Sequence, residues 1–195
     1  MGMPELLIQI KAAATTAISR SGRGVVALVL KDDTSQTDTF VYAKMTSVAK
    51  SHWTTANLDY IQKTFDGSPA RVIVERISAT NGDLTEALAR LKTKKWNYIA
   101  VPGATPDEIT ELETWIKNNR ASGKTFKAVL PNTAADNEGI VNFATDDILV
   151  GKKTYSTEEY CCRIAGILAG TDLDNSATYT VLSEVSGITE STDPD

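Results

Sequence analysis

The segment closest to a known catalytic or binding pattern is Ser122-Gly-Lys-Thr125, the closing residues of the phosphate-cradling motif G-x-x-x-x-G-K-[ST]. The first glycine of that motif would fall at position 118, which is Asn118, inside a helical stretch. A phosphate cradle follows a strand and opens a helix, so that free amides at the helix N-terminus meet the anion. These four residues follow a helix and lead into a strand, where Gly123 reads as a helix stop. Gly22-Arg-Gly24 also precedes its strand and has no third glycine to complete a dinucleotide loop. Val101-Pro-Gly103 does lie between a strand and a helix, but Pro102 lacks an amide donor, so a tight turn into the helix capped by Thr105 is the expectation.

Acid–base and nucleophilic chemistry have little to work with. His52 is the one histidine, and no G-x-S-x-G elbow accompanies it to place a serine. Cys161 and Cys162 are adjacent, a spacing that does not favour a mutual disulfide and that supplies no zinc-ligand pattern; buried reduced thiols are expected. Three carboxylate pairs remain, Asp32-Asp33, Asp146-Asp147 and Glu158-Glu159. The last belongs to a helix start, where acids favour the dipole, and the first two are expected in solvated loops. No catalytic residue, metal ligand or cofactor-binding residue is therefore assigned.

The elements that would position such groups alternate along the chain. Val25–Leu30 is a continuous apolar run, as in a strand covered on both faces. Thr55–Asp66 places Leu58, Ile61 and Phe65 on one helical face, with Gly67 and Pro69 ending it. Arg71–Ile77 reads as a strand, Leu84, Leu88 and Leu91 mark a helix, and Trp96–Val101 returns to strand. Thr105-Pro-Asp-Glu108 is a capping box with proline at the first helical position, opening a helix that carries Ile109, Leu112 and Ile116. Phe126–Leu130 is the next strand, Asp147–Val150 another, and Ser156-Thr-Glu-Glu159 a second capping box. The helix it opens carries Cys161, Ile164, Ala165 and Leu168 and closes near Gly170. Thr178–Leu182 is expected as a last strand. Alternating strands and helices predict an α/β fold: a layered domain with a mainly parallel central sheet flanked by helices, plus a short N-terminal strand or arm.

Composition bounds the partners. The 195 residues are 42% hydrophobic and 23% charged, with a formal net charge of −5, as in an ordinary globular chain. All 20 basic residues lie at or before Arg163 together with 19 of the 25 acidic ones, a net of +1; the last 32 residues carry −6. Basic residues scattered among acidic ones argue against a nucleic-acid partner, which calls for a basic stripe. No run approaches the ~18 apolar residues of a membrane span, so direct membrane insertion is not expected.

Several segments resemble, in order, the sheath proteins of contractile tails from clostridial phages and phage tail-like bacteriocins. They are Met1–Lys11, Ala17–Asp33, Trp53 with Asn57–Ile61, Ser68–Arg76, Trp96–Ile99 with Val101–Gly103, Lys127–Leu130, and Thr157–Tyr160 with Ala165–Gly170. The resemblance implies a structural, non-enzymatic subunit without a cofactor, polymerising with copies of itself around a tail tube and contracting to drive the tube through a target envelope. Tube and baseplate are the further partners it implies, and the virion tail or tail-like particle, assembled in the host bacterial cytoplasm, its location. Family members are longer, so the chain is expected to be an N-terminal fragment.

The corresponding division is an arm and linker over 1–23, an α/β sheath domain over 24–185, and a linker over 186–195. Pro4, Glu5, Leu6, Leu7, Ile8, Gln9 and Ile10 alternate like an edge strand that could join a neighbour's sheet by main-chain hydrogen bonds or pair within its own. Asp32, Asp33, Lys94, Lys95, Lys152 and Lys153 are further candidates for subunit contacts. The alternative class is a flavodoxin-like or Rossmann-like module binding a nucleotide or small molecule at the Val101–Thr105 turn.

Overall fold

A computed structural model describes residues 22–35 and 38–189. The core is a six-stranded sheet in the order β2-β3-β1-β4-β5-β6, formed by β1 (Val25–Lys31), β2 (Thr39–Tyr42), β3 (Arg71–Ile77), β4 (Tyr98–Ala100), β5 (Lys127–Pro131) and β6 (Ile140–Phe143). Every neighbouring pair is parallel except β2 with β3. Val26 to Leu30 are each at most 1% exposed, which explains the unbroken apolar run: a central strand between two helical layers has no polar face.

Helices α1 (Thr55–Asp66) and α4 (Thr157–Gly170) cover one face of the sheet, and α2 (Leu84–Leu91) and α3 (Pro106–Ala121) the other. Side chains of β1 alternate between the two layers. Ala27 and Val29 pack with Leu88, Leu91, Leu112 and Ile116, while Val26, Leu28 and Leu30 pack with Ile61, Cys161, Cys162 and Ala165. Both expected capping boxes form, at Thr105 with Glu108 and at Ser156 with Glu159.

A second sheet, in the order β8-β7-β9, is antiparallel and three-stranded: β7 (Asp146–Val150), β8 (Lys153–Tyr155) and β9 (Val185–Thr189). Ile148 and Tyr155 from this sheet meet Tyr160 of α4 in a small separate cluster. Lys153 and the Tyr155 hydroxyl both donate to Asp59 of α1 at 2.7 Å, tying the small sheet to the body.

The structure departs from the sequence expectations at the chain's later elements. Thr178–Leu182 is loop, with Tyr179 at φ +62° and 96% exposed; its β-branched residues have no strand partner. The last strand lies instead at Val185–Thr189, so the stretch expected as a linker from 186 begins inside a strand paired with β7. Strands β2, β6 and β8 were not expected, being three or four residues each with mixed polarity. Pro4 to Ile10 lie outside the described residues.

Candidate functional site

In doubly wound sheets a ligand sits beyond the carboxyl ends of the strands, where the strand order reverses. That point is defined here by β1, which connects through α1 to β3 on one side while β4 flanks it on the other. The crevice is occupied by the protein's own carboxylates. Asp32, directly after β1, is 1% exposed and accepts from the Thr34 amide at 2.8 Å, the Thr54 amide at 2.8 Å and the Asn57 side-chain amide at 2.7 Å. Burial alone would raise its pKa, but these hydrogen bonds outweigh it and hold the carboxyl down at about 2. A negative charge thus already sits at the start of α1, where a phosphate would otherwise bind.

The start of α3 is filled in the same way. Glu108 accepts from the Thr105 amide at 2.7 Å and from Lys31 at 2.7 Å. Burial works against the charged form, and the Lys31 contact, reinforced by Thr105, keeps the carboxyl below its ordinary range. Gly103 takes φ +67° in the turn, while Pro102 is buried. The Val101–Thr105 turn is a helix cap, and its anion position is taken by Glu108.

The other sequence candidates are placed apart from one another. Ser122 is the C-cap of α3, and Gly123 follows at φ +82°, so the segment Ser122–Thr125 presents helix carbonyls, not amides. Gly24 donates its amide to Ala169 at 2.6 Å and packs against α4. His52 is half-buried with its ring 5.6 Å from Phe40, a packing role. Cys161 and Cys162 are both free and buried, and burial pushes the Cys162 thiol up to about 12 and that of Cys161 higher still. Among the described residues no three His, Cys, Asp or Glu side chains come together to hold a metal ion, and no helix is long and apolar enough to cross a membrane.

Several charged candidates have structural partners. Asp32 was expected as an exposed contact residue and is instead buried against the start of α1, bonded to Thr54 and Asn57, because its position follows the last buried strand residue into the turn. Lys94 pairs with Glu75 and Lys153 with Asp59, whereas Asp33, Lys95 and Lys152 are exposed. Asp33 accepts from the Ala79 amide at 3.1 Å. Asp146 and Asp147 accept from Thr157 and Thr189, which holds the irregular end of β7.

Two clusters escaped the sequence reading. Glu75 is fully buried on β3 and accepts from Arg90 at 2.7 Å, from Lys94 and from Thr39. An acid within the run Arg71–Ile77 was the available signal, since a buried carboxylate requires cations around it. Arg163 on α4 bonds Glu184 at 2.6 Å, anchoring the segment before β9, and Tyr160 donates to the same carboxylate at 3.3 Å.

The helix starts that flank the point where the strand order reverses are thus occupied by the chain's own Asp32 and Glu108, and comparison with known proteins places the chain in a family. A family model described as the phage tail sheath protein central domain matches residues 78–195. The tail sheath protein of Clostridium phage phiCD119 is 34% identical over 198 residues, covering 96% of this chain and 54% of the relative. The chain belongs to the phage tail sheath protein family. It spans about half the length of that curated sheath relative. The phage-like element PBSX protein XkdK of Bacillus subtilis is 30% identical over 101 residues, covering 51% of this chain and 22% of XkdK. Crystal structures of sheath tail proteins from Desulfitobacterium hafniense and Listeria innocua superpose with TM-scores of 0.75 and 0.71 at 14% identity. They cover 85% and 89% of this chain, and 63% and 64% of theirs. At that identity the two structures share the sheath fold.

Proposed function

We propose that the chain is part of the repeating structural subunit of a contractile tail sheath, which polymerises around a tail tube and shortens to drive the tube through a target cell envelope. The observation that carries this reading is the 34% identity to a phage tail sheath protein across 96% of the chain. The occupation of these helix starts by Asp32 and Glu108 is consistent with it, since contraction draws on a difference in packing between two assembled states and requires no bound nucleotide. On this reading the partners are neighbouring sheath subunits, the tube and the baseplate. The location is the tail of a phage or tail-like particle built in the bacterial cytoplasm. Residues 1–23 form an arm in which Pro4–Ile10 adds as a strand to a neighbour's sheet, and residues from 24 onward form the sheath domain.

Antibodies raised against the chain, applied to particles from the host and viewed by electron microscopy, test the reading. Label is expected along the whole tail shaft, shortening with it on contraction; label confined to the baseplate, or none on the shaft, overturns it. Deleting residues 1–11 from the full-length protein should leave folded monomer without polymers, and sheaths of normal length from that deletion would refute the strand role.

A further inference from the structure

Charge in the body is sorted along the strand axis. At the amino ends of β1, β4 and β5, two grooves share Asn97 and Thr125 and so form one rim, with volumes of ≈ 560 and ≈ 410 Å³. Arg23, Arg120 and Lys127 line the first, and Arg71, Lys95 and Lys124 the second. Arg23 pairs with Asp172 and Arg120 with Glu138, and the buried Nε atom of Arg120 has no hydrogen-bond partner among the described residues. Arg71, Lys95 and Lys124 are exposed.

The opposite end is acidic. Asp33 follows β1, Asp83 and Glu86 open α2, and Asp107 opens α3. Asp33 is fixed to the loop after β3 through Ala79, and Thr85 of α2 donates to Glu111 of α3 at 2.8 Å, which brings the two helix starts together. The polarity follows from local chemistry. Acids favour helix N-termini, and a parallel α/β sheet directs the N-termini of its crossover helices to the same end. Cations favour helix C-termini by the same rule, so the two ends of the body carry opposite charge, and at the basic end Arg71 and Lys95 stand exposed beside the paired Arg23 and Arg120.

We propose that these two ends are the complementary faces of a head-to-tail contact between copies of this chain, the basic rim of one receiving the acidic helix starts of the next. The occupant is a second copy because the complementary charge is carried by the same molecule, 195 residues with nearly balanced charge up to Arg163. A contact between unlike faces is heterologous, and such contacts generate rings or helical filaments in place of closed dimers. Exposed ion pairs are individually weak, but complementary fields fix register and speed encounter. The contact deepens the sheath reading and rests on it.

The test is sedimentation of the chain and two charge-reversal variants at low and high salt. One variant carries Arg71→Glu, Lys95→Glu and Lys124→Glu, and the other Glu86→Lys and Asp107→Lys; every substituted side chain is exposed, and near-UV circular dichroism checks each fold. The wild-type chain is expected to associate at 50 mM salt and to dissociate at 1 M, where the screening length falls to about 3 Å. Each variant alone should associate at least ~10-fold more weakly, and an equimolar mixture should recover wild-type strength because opposite faces again meet. Salt-insensitive association, no association at millimolar concentration, or a mixture no stronger than either variant overturns the contact. These results leave the sheath reading standing, which falls separately if antibodies do not label the tail shaft.

Discussion

In the six-stranded sheet, Val26, Leu28 and Val74 have at most traces of exposed surface, whereas in the three-stranded sheet Leu149 and Ile188 are 36% and 50% exposed. The first is covered on both faces by helices, of which α1 and α4 touch backbone to backbone, and its register runs unbroken through seven paired residues of β1 and β3. The second is covered on one face only, and its β7–β9 ladder is interrupted by register shifts around Leu149. After α4 the chain also leaves Leu173, Tyr179 and Val181 almost fully exposed. The body thus holds the stability, and the small sheet with its approach segment holds apolar surface that the chain's own fold does not use.

The largest expected effect tests the tight side of that contrast. A Cβ added at Gly166 of α4 would lie 2.2 Å from the Thr64 carbonyl oxygen, whereas one added at Gly187 of β9 meets nothing closer than Leu149 at 3.7 Å. Gly166→Ala should cost about 3 kcal/mol, the upper end of ordinary overpacking, because the obstructing atom is backbone and yields only if α1 and α4 separate. Gly187→Ala should stay within ~0.5 kcal/mol. Urea melts of both variants check the pair, and equal costs would remove the distinction between the regions.

Removing the anchor of the small sheet should come next. Glu184→Ala leaves Arg163 with a buried guanidinium and without its carboxylate, at a cost of about 2–3 kcal/mol, reduced from the fully buried case because Glu184 is 25% exposed. If the two regions open separately, hydrogen exchange will accelerate across Val185–Thr189 while Cys161 and Cys162 stay unreactive toward a thiol reagent. Thiol labelling that rises in step with exchange would show a single cooperative unit.

How much of this was legible in the sequence follows the same divide. Strands β1, β3, β4 and β5 and all four helices could be read because a two-sided core imposes long apolar runs, and because Thr105 and Ser156 announce their helices with complete capping boxes. The small sheet imposes a one-sided pattern on strands of three to five residues, and of these only β7, with Ile148, Leu149 and Val150 in a row, stood out from loop. Thr178–Leu182 looked more strand-like than Val185–Thr189, and what decided between them was the pairing of β9 with β7 and the Arg163–Glu184 bond, which are long-range. Gly170 was legible only as a helix end and Gly166 was not singled out, although their four-residue spacing is the signal of a close backbone crossing. The reading of Gly123 as a helix stop is met at the C-cap of α3, but the sequence placed Asp32 among solvated acids because nothing local shows that Thr54 and Asn57 fold back onto it.

Acid titration probes the body alone, with a smaller effect. The pKa of Asp32 is depressed from 3.8 to about 2, so its ionised form stabilises the fold above the unfolded value. That contribution, about 2 kcal/mol, is lost as pH falls from 4 through 2. Asp32→Asn should therefore lower stability at pH 7 and flatten its fall across that window, as read by thermal melts at half-unit steps. A variant whose melting temperature drops with the same slope as wild type between pH 4 and 2 would assign acid sensitivity elsewhere.

The smallest expected change is the most diagnostic for the exposed side. Leu173, Tyr179 and Val181 are 96%, 96% and 83% exposed, so replacing all three with serine removes little contact within the chain and should shift its stability by no more than ~0.5 kcal/mol. Tyr179 also sits at φ +62°, a backbone state that a large side chain does not favour, so its loss takes no favourable local geometry with it. The same triple change in the full-length sheath protein should reduce polymer yield if these apolar side chains meet another part of the assembly, because only the assembled state buries them. A fall of several degrees in the melting temperature of the isolated chain would place them inside its own folded unit. Unchanged stability with unchanged polymers would make them ordinary surface.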